Sequence, residues 1–474
     1  MAWRTLVNLM RGTVDEVSDD MVHAITKDKY TDNLMGVVSV VKKMGVIPTM
    51  ELLMRAVQGD ILERPLGSHL QLSPWEKLQL NPVHLYRFPT SEKTKIETKV
   101  TIGPRAQKPL EIQIPIFIAG MSYGSALSRK AKVALAKAAS MMKTATNTGE
   151  ASILKEEREA AEKLIGQYNR GGYMHAPEKY KQLDAIEIQF GQGAQGSAPR
   201  RQSANYVGEE MREVHNLEKG EDAVLGTRVP GIDSKQDFLV TVGKLKADTG
   251  VPVGIKLAAG HYLEQELDIA FEAGVDFVSV DGGEGGTHGG EPTLQDDLGL
   301  PALYALARAG RHFRRRGVKG QISLLGGGGL ITPGHFLKAM ALGCDAVYIG
   351  TAAIMALVSE QIINTAPYEP ATQMVLYTGR HQDKFDPEKG TETLVNYLSV
   401  CVREMQTVIY SLGKTSTSAL DRSDLCCLDP FLAKAVGVQY AGVATEEQIN
   451  YYQGLPHPAE FSGETTPAYQ PEVH

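Results

Sequence analysis

The sequence predicts a (β/α)8 (TIM) barrel with an N-terminal helical extension and C-terminal helices. Short apolar strands alternate with amphipathic helices from about residue 110 to residue 350. This alternation is typical of parallel strands joined by helical crossovers. The glycine-rich segments follow the last strands, whereas an open doubly wound sheet would have its glycine fingerprint after the first strand. The pattern therefore favours a closed barrel.

Seven barrel strands can be recognised directly from their short apolar runs. They are IPIFIAGM (114–121), KTATN (143–147), AIEIQF (185–190), VPVGIKL (251–257), DFVSVDG (276–282), QISLLG (321–326) and AVYIG (346–350). Helical patterns lie between them, for example at 128–142 and 303–317. A barrel of this class needs eight strands, and the interval 191–250 is long enough to contain the missing fourth. We place that strand near AVLGT (223–227).

The chain is expected to have three parts. Residues 1–95 form an N-terminal helical extension, 96–365 form the barrel, and 366–474 form a C-terminal loop, helices and tail packed on the barrel. Within the last part, residues 394–413 have the periodicity of an amphipathic helix. The polar, proline-containing segment 366–392 begins near the catalytic face and could fold over the site.

Composition excludes several classes of function. The net charge of −7 and the lack of a basic stripe argue against nucleic acid as the main partner. No stretch has the pattern of a membrane span or a secretion signal, so we expect no membrane partner and a cytoplasmic location. The proline-rich tail 454–474 is expected to be poorly packed. The four cysteines are too few and too scattered for a disulfide framework or a metal site: Cys344, Cys401, Cys426 and Cys427.

Glycine-rich turns after the last two strands predict a phosphate site. Gly328 and Gly329 follow QISLLG (321–326), the seventh of the eight predicted strands, and Gly350 and Thr351 lie at the end of the eighth. In (β/α)8 enzymes these two loops commonly hold a phosphate through backbone N–H groups, which glycine leaves accessible. A single turn of this kind would indicate only a tight turn. Two of them on consecutive strands favour phosphate binding.

Three further strand ends indicate that the phosphorylated ligand is flat. The segment GMSYG (120–124) offers small residues against which a ring could lie, and Lys256 ends a strand where a cation would face the barrel mouth. Gly286 and Thr287 lie in the glycine-rich segment that follows the next strand. A ring across the strand ends, with its phosphate on the last two strands, describes FMN. A lysine beside the N1–C2=O edge would stabilise the anionic reduced flavin.

Seven stretches together resemble the FMN-binding synthase domain of glutamate synthases and its shorter relatives, including a subunit of N-methylglutamate synthase. They are 114–128, TNTGE (146–150), GQGAQG (191–196), VGIK (253–256), DGGEGGT (281–287), GGLITPG (328–334) and ALGCDAVYIGTAA (341–353). The resemblance extends over roughly residues 100–440. It implies an oxidoreductase in which reduced FMN delivers hydride to an iminium made from a 2-oxo acid and ammonia or a small amine.

The strand ends and the resemblance together define the predicted site. The predicted cofactor-binding residues are Met121, Ser122, Tyr123, Asn147, Gln189, Lys256, Gly286, Thr287, Gly328, Gly329, Gly350 and Thr351. The predicted catalytic residues are Lys256, Glu150, Gln192 and Arg200. The resemblance implies that Glu150 binds a substrate ammonium or shuttles a proton. No metal ligand is predicted.

The sequence also departs from the family pattern. The family has lysines near Gln189 and Gln195 that help to hold the carboxylates of the oxo acid. Here both positions are glutamine, so Arg200 or Arg201 would bind the carboxylate instead. The large synthases carry three spaced cysteines for an iron–sulfur cluster, whereas this chain has an adjacent pair, and we predict no cluster. Met1 is not followed by a nucleophilic cysteine, so no glutaminase domain is expected.

Several partners and two alternatives follow from these departures. Ammonia or an amine would come free or from another subunit, and electrons from an NAD(P)H-oxidising flavoprotein subunit or a ferredoxin. We expect an oligomer. One alternative is an FMN-dependent 2-hydroxyacid oxidase-like enzyme, whose histidine base could only be His288. The other is a non-catalytic FMN subunit that relays electrons within a larger complex.

Overall fold

The computed structural model describes residues 2–29, 32–33 and 35–444. The predicted tail (454–474) lies outside these described residues. The chain divides into two compact units, Met1–Glu63 and Arg64–His474. In the described residues of the first unit there are three helices, Ala2–Lys27, Met35–Met44 and Val46–Gln58. Across the described ranges, no helix combines the length and apolarity needed to cross a membrane.

Eight parallel strands form the barrel of the second unit and confirm the predicted fold class. In chain order they are β1 (Ile116–Ile118), β2 (Thr146–Asn147), β3 (Leu164–Tyr168), β4 (Ala185–Gln189), β5 (Val253–Ala258), β6 (Phe277–Asp281), β7 (Ser323–Gly327) and β8 (Ala346–Ile349). Their hydrogen-bonded order is β1-β8-β7-β6-β5-β4-β3-β2. Between β1 and β2, the Ile118 N–H donates to the Ala145 carbonyl, and Gly120 forms a bridge with Asn147.

The position of one barrel strand corrects the sequence prediction. Seven strands coincide with the predicted segments, two of them extending one residue beyond, but the remaining strand is β3 and not residues 223–227. The strand Ala223–Leu225 pairs antiparallel with Arg200–Gln202, outside the barrel sheet. The sequence of β3, LIGQY, was missed because a glycine and the buried Gln167 interrupt its apolar run. An apolar pattern alone therefore selected the wrong segment.

Helices and shorter elements surround the barrel. The other helices are Arg129–Met141, Lys155–Ala160, Pro177–Tyr180, Glu209–His215, Lys235–Thr249, Leu263–Glu272, Pro292–Asp296, Ala302–Arg315, Pro333–Leu342, Thr351–Val358, Pro370–Met374, Pro387–Ser411 and Pro430–Val436. The other strands are Leu78–Leu80, Val100–Ile102, Leu110–Ile112, Arg200–Gln202, Ala223–Leu225, Leu425–Cys427 and Gln439–Tyr440. Side-chain caps fix several helix starts. For example, Ser128 Oγ accepts a hydrogen bond from the Ala131 N–H.

An antiparallel hairpin closes the amino-terminal end of the barrel. Its strands, Val100–Ile102 and Leu110–Ile112, place four buried apolar side chains in one cluster with residues inside the barrel such as Phe117 and Phe277. The Gly103 N–H donates to Oγ of Ser323, the first residue of β7. Because this end is filled with apolar side chains, the polar interior positions lie toward the carboxyl ends of the strands.

The segment after the barrel lies partly against the loop that follows β1. The predicted helix over 394–413 is confirmed as the longer helix Pro387–Ser411. Before it, the Val375 carbonyl accepts a hydrogen bond from the Ser128 N–H, and the Tyr377 N–H donates to Ala126. The carboxyl-terminal part of the chain therefore contacts one of the strand-end loops predicted to bind a cofactor.

Candidate functional site

A buried carboxylate organises the upper part of the barrel interior. Glu187 lies on β4, and its Oε1 accepts hydrogen bonds from Asn147 Nδ2 (3.2 Å) and Gln167 Nε2 (2.8 Å). Its Oε2 accepts one from Ser279 Oγ (2.6 Å). Burying a carboxylate is costly unless hydrogen bonds satisfy it, and these three side chains do so. They join side chains on β2, β3, β4 and β6, and they orient the predicted residue Asn147.

Lys256 supplies a cation at the mouth of the barrel. It is 3% exposed; its Nζ lies 3.5 Å from Asp281 Oδ2 and 4.9 Å from the centre of the Tyr348 ring. Burial lowers the pKa of Lys256, but the carboxylates of Asp281, Glu187 and Glu150 outweigh burial and raise that pKa above its ordinary value. Lys256 is therefore charged at neutral pH.

Arg170 connects the loops after β2, β3 and β4. Its side chain is fully buried, and Nη2 donates to Glu150 Oε1 at 2.7 Å. Nε donates to Gln189 Oε1 (3.3 Å), and Nη1 donates to the Ala198 carbonyl (3.0 Å). The other oxygen of Glu150 accepts a hydrogen bond from Gln195 Nε2 at 3.4 Å. Arg170 thus fixes two predicted site residues, Glu150 and Gln189, relative to one another.

Arg200 extends this network to the loop after β6. Its Nη1 donates to Gln195 Oε1 (3.2 Å) and to Thr287 Oγ1 (3.3 Å), and its Nη2 lies 3.0 Å from His288 Nε2. Burial, together with the charge of Arg200, lowers the pKa of His288 well below its ordinary value. His288 is therefore neutral, and Arg200 provides the positive charge in this part of the site.

The two candidate arginines lie in different environments. Arg200 and Arg201 are neighbours on one strand, so their side chains point to opposite faces. The Arg201 side chain is 77% exposed and forms an ion pair with Asp222. Only Arg200 is joined to the buried network that contains Glu150.

Backbone geometry after β7 fits the predicted phosphate site. Gly328 and Gly329 have φ values of 109° and 66°, which L side chains rarely adopt. A Cβ on Gly329 would lie 2.9 Å from Glu284 Cβ, so the loops after β6 and β7 approach closely. Gly350 directly precedes the helix Thr351–Val358. The first N–H groups of a helix lack intrahelical acceptors and attract anions.

The segment 64–68 joins the loop after β6 to the turn after β8, and it is not among the site residues predicted from the sequence. The Leu66 N–H donates to the Thr287 carbonyl at 2.8 Å, and Thr351 Oγ1 donates to the Leu66 carbonyl at 3.4 Å. A Cβ on Gly286 would lie 2.6 Å from Thr351 Oγ1. The loop after β6 and the start of the helix after β8 are thus in direct contact.

Met121, Ser122 and Tyr123 follow β1, and the last two are buried. A Cβ on Gly350 would lie 3.9 Å from Met121 Sδ, so Met121 is beside the turn after β8. The Tyr123 ring packs edge-to-face on Tyr377 with centroids 6.0 Å apart. Burial raises the pKa of Tyr123 to about 12, which keeps its hydroxyl neutral.

Gln192 lies in the turn that follows β4. Its N–H donates to the Gly196 carbonyl at 3.1 Å. The following residue, Gly193, donates its N–H to Asp281 Oδ2 at 3.0 Å. The turn is therefore attached to the carboxylate that pairs with Lys256. The role of the Gln192 side chain stays a prediction.

Three residues of this network were not singled out from the sequence: Arg170, Glu187 and Asp281. Glu187 and Gln189 alternate with isoleucines in β4, which indicates that both face the barrel interior. This alternation was a usable signal. Arg170 was missed because β3 was missed, although the glycine pair after it resembles the other strand-end loops.

Comparisons with known proteins relate this chain to a family. The family model described as the conserved region in glutamate synthase matches residues 73–415. The glutamate synthase large subunit-like protein of Rhizobium meliloti is 30% identical over 402 residues, covering 80% of this chain and 90% of that protein. The archaeal glutamate synthase (NADPH) of Methanocaldococcus jannaschii is 31% identical over 359 residues, covering 74% of this chain and 69% of that protein.

Among solved structures, an arginine-to-lysine mutant of flavocytochrome b2 has a TM-score of 0.50 and 16% sequence identity. The structural match covers 81% of this chain and 85% of the flavocytochrome chain. At this level of identity the likeness shows only the shared fold, a barrel surrounded by helices.

Proposed function

Since this chain belongs to the glutamate synthase family, we propose that it is an FMN-dependent oxidoreductase. The reaction is the reductive amination of a 2-oxo acid with ammonia or a small amine, which yields an amino acid. One observation supports this proposal most strongly. A charged, buried lysine lies at the barrel mouth, and two glycine turns suited to a phosphate follow the last two strands.

The residues present fit FMN. Backbone N–H groups at Gly328, Gly329 and Gly350, with Thr351, would hold the phosphate, because glycine leaves these groups accessible to an anion. Glycine at 328 and 329 also lets this turn approach the loop after β6, which a Cβ at either position would contact. Lys256 would lie at the N1–C2=O edge of the ring. The positive charge that the surrounding carboxylates maintain on Lys256 suits an anionic ring edge. The loop 121–123 would contact the ring, together with Asn147 and Gln189.

FMN, when bound, supplies the hydride that reduces the carbon of an iminium formed from the 2-oxo acid and the amine. Arg200 binds the substrate carboxylate and orients the reacting carbon. Glu150, which Arg170 and Gln195 hold in place, binds the ammonium or amine and accepts its proton. Gln192 contributes a hydrogen bond from the turn above β4. The buried polar network around these residues excludes bulk water from the site.

The proposal includes partners of defined chemistry. Reduced flavin must be regenerated, and a separate NAD(P)H-oxidising flavoprotein subunit or a ferredoxin would supply the electrons. Relatives of this chain are named as NADPH-dependent synthases and as large subunit-like proteins, which supports a multi-subunit arrangement. The amine arrives free or from another subunit.

The hydroxyacid oxidase alternative is less well supported by the geometry. That chemistry needs a histidine base near arginines, and His288 does lie beside Arg200. Burial and the arginine charge, however, lower the pKa of His288 well below its ordinary value, which makes it a weak base. The reductive amination does not depend on this histidine.

The test uses the purified chain with FMN, a chemical flavin reductant, a 2-oxo acid and ammonium or methylammonium. One FMN per chain and formation of the amino acid support the proposal. A chain that binds FMN but forms no amino acid with any 2-oxo acid tested supports the electron-relay alternative instead. A chain that binds no FMN refutes both.

A further inference from the structure

Lys132 is a buried cation whose contacts lie directly behind the proposed cofactor site. It lies on the helix Arg129–Met141, and its side chain is 1% exposed. Its Nζ donates to the Met121 carbonyl at 2.7 Å and to the Asn147 carbonyl at 2.8 Å. The same atom lies 2.7 Å from Glu157 Oε1. The ammonium group has three donors: two are used by the carbonyls, and the ion pair with Glu157 supplies the opposite charge.

The Met121 carbonyl belongs to the loop that follows β1, and the Asn147 carbonyl belongs to the last residue of β2. This is the seam where the barrel sheet has its fewest strand contacts: β2 is two residues long, and a single bridge joins Gly120 to Asn147. A Cβ on Gly149 would lie 2.5 Å from the Ser122 nitrogen, so the two loops press against each other. Lys132 therefore joins the loops where the backbone ladder does not.

We propose that Lys132 is a positioning residue that fixes the loop bearing Met121 and Ser122 against Asn147 at the end of β2, for binding of the flavin ring. The inference rests on the proposed function, because it assumes that these residues bind FMN. In a trans peptide the C=O and N–H groups point in opposite directions. By fixing the Met121 carbonyl from the helix side, Lys132 also fixes the direction of the Ser122 N–H on the other side. That N–H is thereby oriented before the cofactor arrives.

Glu157 has a different part in this arrangement. It is fully buried, and burial raises the pKa of Glu157 even though the charge of Lys132 opposes the shift. Its ion pair with Lys132 compensates the lysine charge in the protein interior. Glu157 has no described contact with the loops, so its role is to allow Lys132 to be buried.

The experiment separates positioning from folding with three variants and a control. In Lys132→Met/Glu157→Leu, both charges are replaced by apolar groups, which often preserves stability. In Glu157→Gln, Lys132 and its two carbonyl contacts remain. The control, Lys246→Met, removes a lysine that donates to the Gly274 carbonyl and to Asp276 at the opposite end of the barrel. The single variant Lys132→Met is measured beside them.

FMN affinity, the flavin absorption spectrum and the flavin midpoint potential are measured together with the thermal midpoint of each apoprotein. We expect Lys132→Met/Glu157→Leu to bind FMN about 10-fold or more weakly. This is the smaller loss of affinity that is typical when residues holding metal ligands in place are replaced. Its thermal midpoint should remain close to that of the wild type, and its spectrum and potential should shift. Glu157→Gln and Lys246→Met should bind FMN with wild-type affinity and potential.

Two results would overturn the inference. One is a folded double variant whose FMN affinity, spectrum and potential match the wild type. The other is a loss of FMN affinity in Glu157→Gln as large as the loss in the Lys132 variants, which would assign the effect to core stability. Because Lys132→Met is also measured, this comparison can be made even if the double variant does not fold. If the wild type itself binds no FMN, it is the proposed function that fails.

Discussion

Replacing Arg170 with methionine tests the buried network that holds Glu150. The substitution removes three hydrogen bonds, to Glu150, Gln189 and the Ala198 carbonyl, while keeping a long apolar side chain. Arg170 has no exposed side-chain surface and Glu150 only 7%. The change therefore leaves a carboxylate in a buried position without its guanidinium partner.

The expected cost follows from that burial. Breaking a buried ion pair by removing one partner costs about 3–5 kcal/mol of unfolding free energy, because the remaining charge stays desolvated. A domain is stable by only about 5–15 kcal/mol, so a large share of the stability would be lost. The second substitution Glu150→Gln removes the orphaned charge, and it should restore part of the loss.

Urea unfolding of the purified chains measures this cost. Arg201→Met is the matched control, because it removes the same kind of side chain from a pair whose arginine is 77% exposed, and it should change stability little. If Arg170→Met is no more destabilising than Arg201→Met, the network does not hold the site as described. A double variant that is less stable than Arg170→Met would also refute the reasoning, because it would mean that the carboxylate is not the source of the cost.

Three further predictions concern the cofactor, the substrate and metal content. Gly350→Val should abolish FMN uptake, measured by absorbance titration, while circular dichroism shows the barrel intact, because its methyl groups would occupy the proposed phosphate position. Arg200→Ala should lower kcat/KM for the 2-oxo acid roughly 30–1000-fold, a loss of about 2–4 kcal/mol in transition-state stabilisation, whereas Arg201→Ala should leave kcat/KM unchanged. Equal kcat/KM values for the two variants would show that Arg200 does not bind the substrate carboxylate. Cys426 and Cys427 are adjacent on a strand and point to opposite faces, so anaerobically purified protein should lack stoichiometric iron and acid-labile sulfide, and their presence would contradict this assignment.

Much of the fold could be predicted because parallel strands buried on both faces leave a clear apolar signal. Seven strands and the helices at 128–142 and 303–317 follow that signal. The strand β3 lacks a clear apolar signal, because it contains Gln167, which donates a hydrogen bond to Glu187 inside the barrel. The apolar segment 223–227 attracted the prediction, although Ala223–Leu225 pairs with Arg200–Gln202 outside the barrel.

The candidate site could be predicted from the sequence at positions where the backbone conformation itself requires a particular residue type. Glycines that require positive φ or close approach, such as Gly328 and Gly329, are visible in the sequence alone. Long-range partnerships are not visible there. Arg170 meets Glu150 only because two strand ends converge at the barrel mouth, and nothing local to either residue indicates the other. The contact of Leu66 with the loop after β6 is of the same kind.

The most direct test of the central claim is a single-turnover experiment without oxygen. The FMN-loaded protein is reduced chemically and mixed with 2-oxoglutarate, or with a shorter 2-oxo acid, together with ammonium or methylammonium, and the flavin absorbance is followed. Reductive amination predicts that the flavin becomes reoxidised only when both the oxo acid and the amine are present, with one amino acid formed per flavin. A flavin that stays reduced with every 2-oxo acid and amine pair would contradict the proposed function.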